Sequence, residues 1–340
     1  MLSLNKPVTV GASALLASGA TVTHDSLGTA GVGGSDLSVG GDLVVESGAA
    51  ISATGKSSSA LGRSKDSRGS GAHGGRSRRS GGSVFNPCYG SVYCPTNAGT
   101  ISSFDGKDLL GGGIVRLRVA GRLTLDGTID ADGESRNVSN YSGSGGSIWI
   151  KAGSIRGGGL ISANGGAGGS PTGAGGRVAL YLADEGETLG ATPSVTAYGG
   201  YLYSDGFHVP AGSPGTIYVE TAADGARRGT VLVANHASAS AGTQYVDFPS
   251  TLAAATDDGR NATWRLSGCS YLYVTRDAKV RDVWLEGSKP RVYLNGHKLR
   301  VRALPHALGN DESVQVIPGG TDENPGRIIW DGRTTLMFVQ

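Results

Sequence analysis

Four copies of one short phrase constrain this chain more than anything else in it. Ile51-Ser52-Ala53-Thr54-Gly55, Ile129-Asp130-Ala131-Asp132-Gly133, Ile161-Ser162-Ala163-Asn164-Gly165 and Val195-Thr196-Ala197-Tyr198-Gly199 share one pattern. Each is an apolar residue, a spacer, alanine, a spacer and glycine. Ile129 to Ile161 is 32 residues, and Ile161 to Val195 is 34. A fixed period of roughly 20–50 residues marks a solenoid, propeller or array. A second run recurs between the phrases, at Ile114–Val119, Ile148–Ile150, Val178–Leu182 and Ile217–Val219. Its apolar period is 2, which specifies strands, and no helical stripe appears over ten residues. One unit cannot bury its apolar face alone, so stacked units are expected to share a continuous core. The expected fold is all-β: a parallel β-helix, or β-solenoid, running through residues 1–340 as a single domain.

Glycine supports this. It supplies 59 of 340 residues without a collagen-like spacing, and it falls between the strands. Tight corners call for φ > 0 and for close backbone approach, and glycine meets both demands.

The remaining composition narrows function only a little. The net charge is +2 and charged residues make up 17 %, so polarity rests on Ser, Thr, Asn and Gly. That balance suits an extracellular or cell-surface protein. No apolar run approaches the ~18 residues of a membrane-spanning helix, no signal peptide stands out, and the start reads like the interior of a longer protein. There is neither a Walker loop nor a dinucleotide fingerprint after a strand, and no cofactor is expected. Three sequons begin at Asn137, Asn140 and Asn261.

The repeat is interrupted over residues 56–110 by a Gly/Ser/Arg-rich loop insertion. Ile51–Gly55 ends one unit and Gly111–Ile114 opens the next, so the insertion occupies a corner. It is expected to fold over the flank of the stack, with Phe85, Tyr89, Tyr93 and Phe104 as anchors. The basic residues of its first half, Arg63, Lys65, Arg68, Arg76, Arg78 and Arg79, are set against only Asp66, which suits contact with an anionic polysaccharide or cell-surface glycan. Aromatics are not interleaved with these cations, which argues against nucleic acid. Cys88 and Cys94 read as a small loop disulfide, with two ordinary thiols as the alternative. A second irregular stretch, 237–260, precedes strand-like C-terminal runs that look like further units with tighter corners.

The series GAHGG (71–75), Tyr89-Gly90 with Pro95, GGGIVRL, LDGTIDADG, GSGGSIWI, GLISANGG, GAGGRVALYL, SVTAYGG, GTIYVET and GTVLVAN resembles a glycine-rich repeat region of very large, mostly bacterial, surface or secreted proteins. The resemblance covers roughly residues 37–235. It implies a right-handed parallel β-helix of pectate-lyase-like shape. It implies no reaction, and no catalytic residue carries over with it.

Candidate sites are few. Asp130 and Asp132 alternate with inward residues and share an outer face, where carbonyls beside them would suit Ca²⁺. Neighbouring units place Ser, Thr and Asn there instead, so the plainer interpretation is a solvated strand face. His73 in GAHGG is a base or ligand candidate, or a hydrogen-bonding loop residue. Tyr201, Tyr203, Phe207 and His208 form an aromatic loop that suits sugar stacking, or that covers an edge of the stack. The expected function is a structural or adhesive segment, with self-assembly through the stack ends. The alternative is a polysaccharide-active enzyme or a carbohydrate-binding module.

Overall fold

A computed structural model describes all residues except 28–32, 58–69, 78–85, 105–106, 136–141, 169–171, 191, 205–206, 211, 237–244, 249–258 and 333–340; at 103, 104, 107, 203, 204 and 207–210 it describes the backbone alone. The chain is all-β, and the only helix among the described residues is the single turn Glu312–Gln315. From the start to Thr221 the chain visits three parallel sheets in rotation. Ser35–Val39 joins a nine-stranded sheet, Leu43–Val45 a four-stranded sheet and Ala50–Ser52 a six-stranded sheet. Ile114–Val119, Arg122–Leu125 and Thr128–Asp130 repeat the tour, as do Ser147–Ala152, Ser154–Arg156 and Leu160–Ser162.

Register follows the repeated phrase. Ile51, Ile129, Ile161 and Val195 lie side by side across the six-stranded sheet. On the nine-stranded sheet Leu37, Leu117, Ile150 and Leu180 do the same. These residues, with Leu43, Leu123 and Ile155 of the four-stranded sheet, form one buried cluster enclosed by the three sheets, Val195 packing against it partly buried. The alternation of strand side chains sends every second residue into this cluster, so the period of 2 in the sequence becomes an inside and an outside.

Glycines do more than turn corners. Gly113, Gly146, Gly176 and Gly215 stack on one another, and Gly112, Gly145 and Gly175 lie against Ala131, Ala163 and Ala197, with carbonyl oxygens lying where a Cβ would stand. The ladder runs through them: the Ser147, Arg177 and Thr216 N–H groups donate to Gly113, Gly146 and Gly176 at 3.0, 2.9 and 3.1 Å. Two segments of the insertion lie on this floor. Gly99 faces Ser144 and Gly145, while Gly74 and Gly75 lie against Gly176 and Pro214.

The C-terminal strands do not simply continue the stack. Thr216–Thr221 and Thr230–Ala234 pair antiparallel, with Tyr218 opposite Val231 and Ile217 opposite Leu232. Asp224 closes the reversal, its carboxylate accepting the Thr221 N–H at 2.9 Å. Beyond it the strands are parallel to one another again, and the nine-stranded sheet is joined by two others: Tyr245–Phe248, Tyr271–Val274, Arg291–Tyr293 and Val316–Ile317 in one, Ala278–Val280, Lys298–Val301 and Arg327–Trp330 in the next. The reversal also changes which face is buried. Ile217 belongs to the first core, whereas Tyr218, Val231 and Val233 belong to a second that includes Trp264, Leu266, Leu272 and Val283. One sheet therefore carries a core on each of its faces. The uniformly parallel stack expected over 1–340 is corrected to two parallel parts joined by an antiparallel turn.

The glycine floor gives a sharp test. A Cβ at Gly176 would strike the Gly146 carbonyl oxygen, whereas at Gly11 nothing lies within 4 Å. Gly176→Ala should cost on the order of 3 kcal/mol in urea unfolding, and Gly11→Ala should leave the midpoint nearly unchanged. Equal effects would contradict the packing described.

Candidate functional site

Asp130 ends the last short strand of its unit and Asp132 follows it, and both point outward, since Ile129 and Ala131 are fully buried. Each spends its carboxylate on a neighbouring unit. Asp130 accepts the Ser52 hydroxyl at 2.6 Å and the Thr54 hydroxyl. Asp132 accepts the Ser162 hydroxyl at 3.0 Å and the Asn164 N–H. Burial pushes Asp132 up to about 6 despite these bonds, with the Asp130 charge adding to the rise. The pair thus ties three successive units together along one row. Among the described residues no group of three His, Cys, Asp or Glu comes together to hold a metal ion.

The densest polar cluster lies elsewhere, where the insertion meets the outer face of the nine-stranded sheet. His73 is fully buried, its Nδ1 2.9 Å from the Gly145 carbonyl, so Nδ1 carries the proton and Nε2 is left without a protein partner. The Tyr89 ring lies 4.7 Å away. The Arg177 guanidinium donates from Nε to the Tyr89 carbonyl at 2.8 Å and from Nη1 to Thr216 at 2.9 Å. Asp247 accepts the Cys88 N–H at 2.8 Å and pairs with Arg76, whose guanidinium lies 4.0 Å from the Tyr273 ring centroid. Further along, Tyr93 packs edge-on against Tyr218 at 4.8 Å, and its carbonyl accepts the Tyr181 hydroxyl at 2.7 Å. Tyr89 donates to the Ala98 carbonyl at 2.6 Å. Residues 86–100 therefore form a latch over Trp149, Ala179 and Tyr218.

The disulfide expected from the spacing of Cys88 and Cys94 is absent: the structure carries both as thiols. The Cys88 sulfur points inward and accepts the Asp247 N–H at 3.2 Å, while Cys94 is exposed. Burial pushes the Cys88 thiol up, and the Asp247 charge adds to this. Spacing in sequence does not set the direction of two Cβ vectors, and here one thiol is buried and the other exposed.

The aromatic loop is a hairpin of Tyr201–Ser204 and Phe207–Pro210, with Tyr203 opposite His208. The side chains of Tyr203, Phe207 and His208 lie outside the described set. Tyr201 is half-buried, its hydroxyl 3.0 Å from His236 Nδ1 and its ring packed on the same imidazole. Of the basic insertion, Arg63, Lys65, Arg68, Arg78 and Arg79 lie outside the described residues. Arg76 is turned to Asp247, so it serves the latch rather than an external anion.

The sequence singled out neither Arg177 nor Asp247. Arg177 directly follows a glycine pair, at a position where the neighbouring units carry Ile114 and Ser147 or Thr216, and a cation there was the available signal. A pocket at the C-terminal end, lined by five cations, was missed as well because its members come from separate strands. No helix among the described residues is long and apolar enough to cross a membrane. No protein-family model matches the chain, and neither a curated protein nor a solved structure does.

The latch carries a pH signature. Burial, reinforced by the Arg177 charge, holds His73 down at about 3 against an ordinary 6.5. The folded chain thus binds fewer protons than the unfolded chain between those values. Stability from neutral His73 is complete above pH 6.5 and drains away as pH falls toward 3. His73→Gln should weaken the fold at pH 7 and flatten the loss of urea resistance between about pH 7 and 4. An unchanged slope would show that His73 is not buried neutral.

Proposed function

We propose that the chain is a structural and adhesive segment of an extracellular or cell-surface protein. We read its architecture as a right-handed parallel β-helix whose second part is built on the opposite face of the shared sheet. The supporting observation is how the polar side chains are used. Asp130 and Asp132 bond to the units on either side of them, and the insertion is fastened by His73, Arg177 and Asp247. These contacts stiffen a stack. The resemblance to glycine-rich repeats of large surface proteins points the same way.

The competing reading, a polysaccharide-active enzyme, needs titratable groups converging on an open groove. His73, Cys88, Arg177 and Asp247 do converge, but each is at most 2 % exposed. A polymer has no approach to them, which favours the scaffold.

Incubation with a panel of acidic and neutral polysaccharides checks this. The scaffold reading expects no new reducing ends and no unsaturated products. Release of either, abolished by a variant in one of these groups, would replace it with the enzyme.

A further inference from the structure

Three C-terminal strands carry a charge pattern that works against their own pairing. Ala278–Val280, Lys298–Val301 and Arg327–Trp330 run parallel, and their register sets Lys279 beside Arg300 and Lys298 beside Arg327. Like charges directly opposite one another destabilise a sheet. Val280, Leu299 and Val301 are fully buried, so the alternating cations stand on the outer face. Arg260 and Arg276 approach the same place, and together with Lys279, Lys298 and Arg300 they line a pocket of about 270 Å³.

Among the described residues two carboxylates, Asp331 and Asp277, lie beside these cations. Asp331 accepts Lys279 at 3.1 Å and Arg300 at 2.8 Å, and these contacts hold its carboxyl below the usual range. Asp277 accepts the Lys298 backbone N–H at 2.9 Å and lies 3.8 Å from His297 Nδ1. Asp331 thereby holds the Lys279 and Arg300 head groups in a fixed arrangement while both side chains stay about half exposed, at 42 % and 52 %. Among the described residues Arg276, Lys279, Lys298 and Arg300 outnumber these two carboxylates at the mouth of a concave site.

We infer that this pocket binds a polysaccharide bearing carboxylate or sulfate groups. The volume is below the ~300 Å³ at which pockets for whole small molecules begin, so it fits one charged unit of a longer chain. Neighbouring parallel strands lie about 4.8 Å apart, which spreads the cations along a line rather than around a point. Among the described residues no aromatic side chain lines the pocket to offer a platform for stacked bases, and this favours a glycan over single-stranded nucleic acid. The excess charge draws a polyanion from a distance, and the half-exposed head groups remain within its reach. The inference rests on the scaffold reading in one respect: it gives the adhesive surface of that scaffold a ligand class.

The test uses the full chain on immobilised heparin, polygalacturonate, neutral dextran and duplex DNA at physiological ionic strength. The chain should be retained by heparin, polygalacturonate or both, and not by dextran. The matrix that retains it identifies the anion. Lys279→Ser with Arg300→Ser should weaken binding about tenfold or more, with melting temperature little changed because relieved repulsion offsets the lost Asp331 contacts. Lys6→Ser with Arg122→Ser removes the same charge far from the pocket and should weaken binding less than about twofold. Equal losses in the two double variants would overturn the site. So would retention on duplex DNA that depends equally on Lys279 and Arg300. A normally melting chain that binds neither polyanion would also overturn the site and leave the scaffold reading standing. Cleavage of the bound polysaccharide would overturn the scaffold reading and leave the site.

Discussion

The structure depends on backbone meeting backbone with nothing between. At the corner that opens each unit, a glycine N–H reaches the carbonyl of the alanine that closed the one before. Gly113 donates to Ala53, Gly146 to Ala131, Gly176 to Ala163 and Gly215 to Ala197, each at 2.7 Å. The four alanines are at most 2 % exposed. Water is excluded there, so an unmade bond would leave a buried donor and a buried carbonyl without partners. Any residue with a Cβ would hold the layers apart and break several of these bonds at once. The alanine of the apolar-x-Ala-x-Gly phrase is therefore a statement about corner geometry, a small inward residue whose carbonyl meets the glycine that opens the next unit.

The same flat floor accounts for the latch. A surface of stacked glycines has exposed backbone groups and no side-chain relief, so another backbone can lie on it. The segment Ser70–Gly75 does so: the Gly71 N–H reaches the Ser142 carbonyl at 3.2 Å and the Gly74 N–H reaches Gly175 at 3.0 Å. Side chains that follow are then carried over the nine-stranded sheet, where Tyr93, Trp149, Ala179 and Tyr218 become part of the second core. The outer face of the first part is thus covered by the insertion, and the same face continues as the inside of the C-terminal part. Polar groups trapped at that junction must satisfy one another, which is what His73, Arg177, Cys88, Asp247 and Arg76 largely do.

Much of the first part was legible because its register is written twice, once as a repeat and once as alternation. Ile51, Ile129, Ile161 and Val195 align by eye in the sequence and lie side by side in the sheet. The reversal at Thr221–Thr230 was not legible. Asp224-Gly225 is an ordinary turn signal, yet the strands on both sides alternate in the same way, and alternation does not say which face a following layer will cover. Tyr218 reads as an outward residue of the first part and is fully buried by the second. The Cys88 and Cys94 pair failed for a similar reason, since their proximity in sequence carries no information about the Asp247 backbone that Cys88 meets. The basic pocket joins strands roughly twenty residues apart, and only their pairing reveals that Lys279 and Arg300 are neighbours.

The central claim, that glycine-to-alanine corner bonds hold successive layers together, is tested most directly by residue-resolved amide hydrogen exchange on the native chain. The account predicts that the Gly113, Gly146, Gly176 and Gly215 amides exchange among the slowest in the protein, at rates set by global unfolding. Exchange of these four at the rates of exposed glycines, such as Gly11 and Gly186, would contradict it.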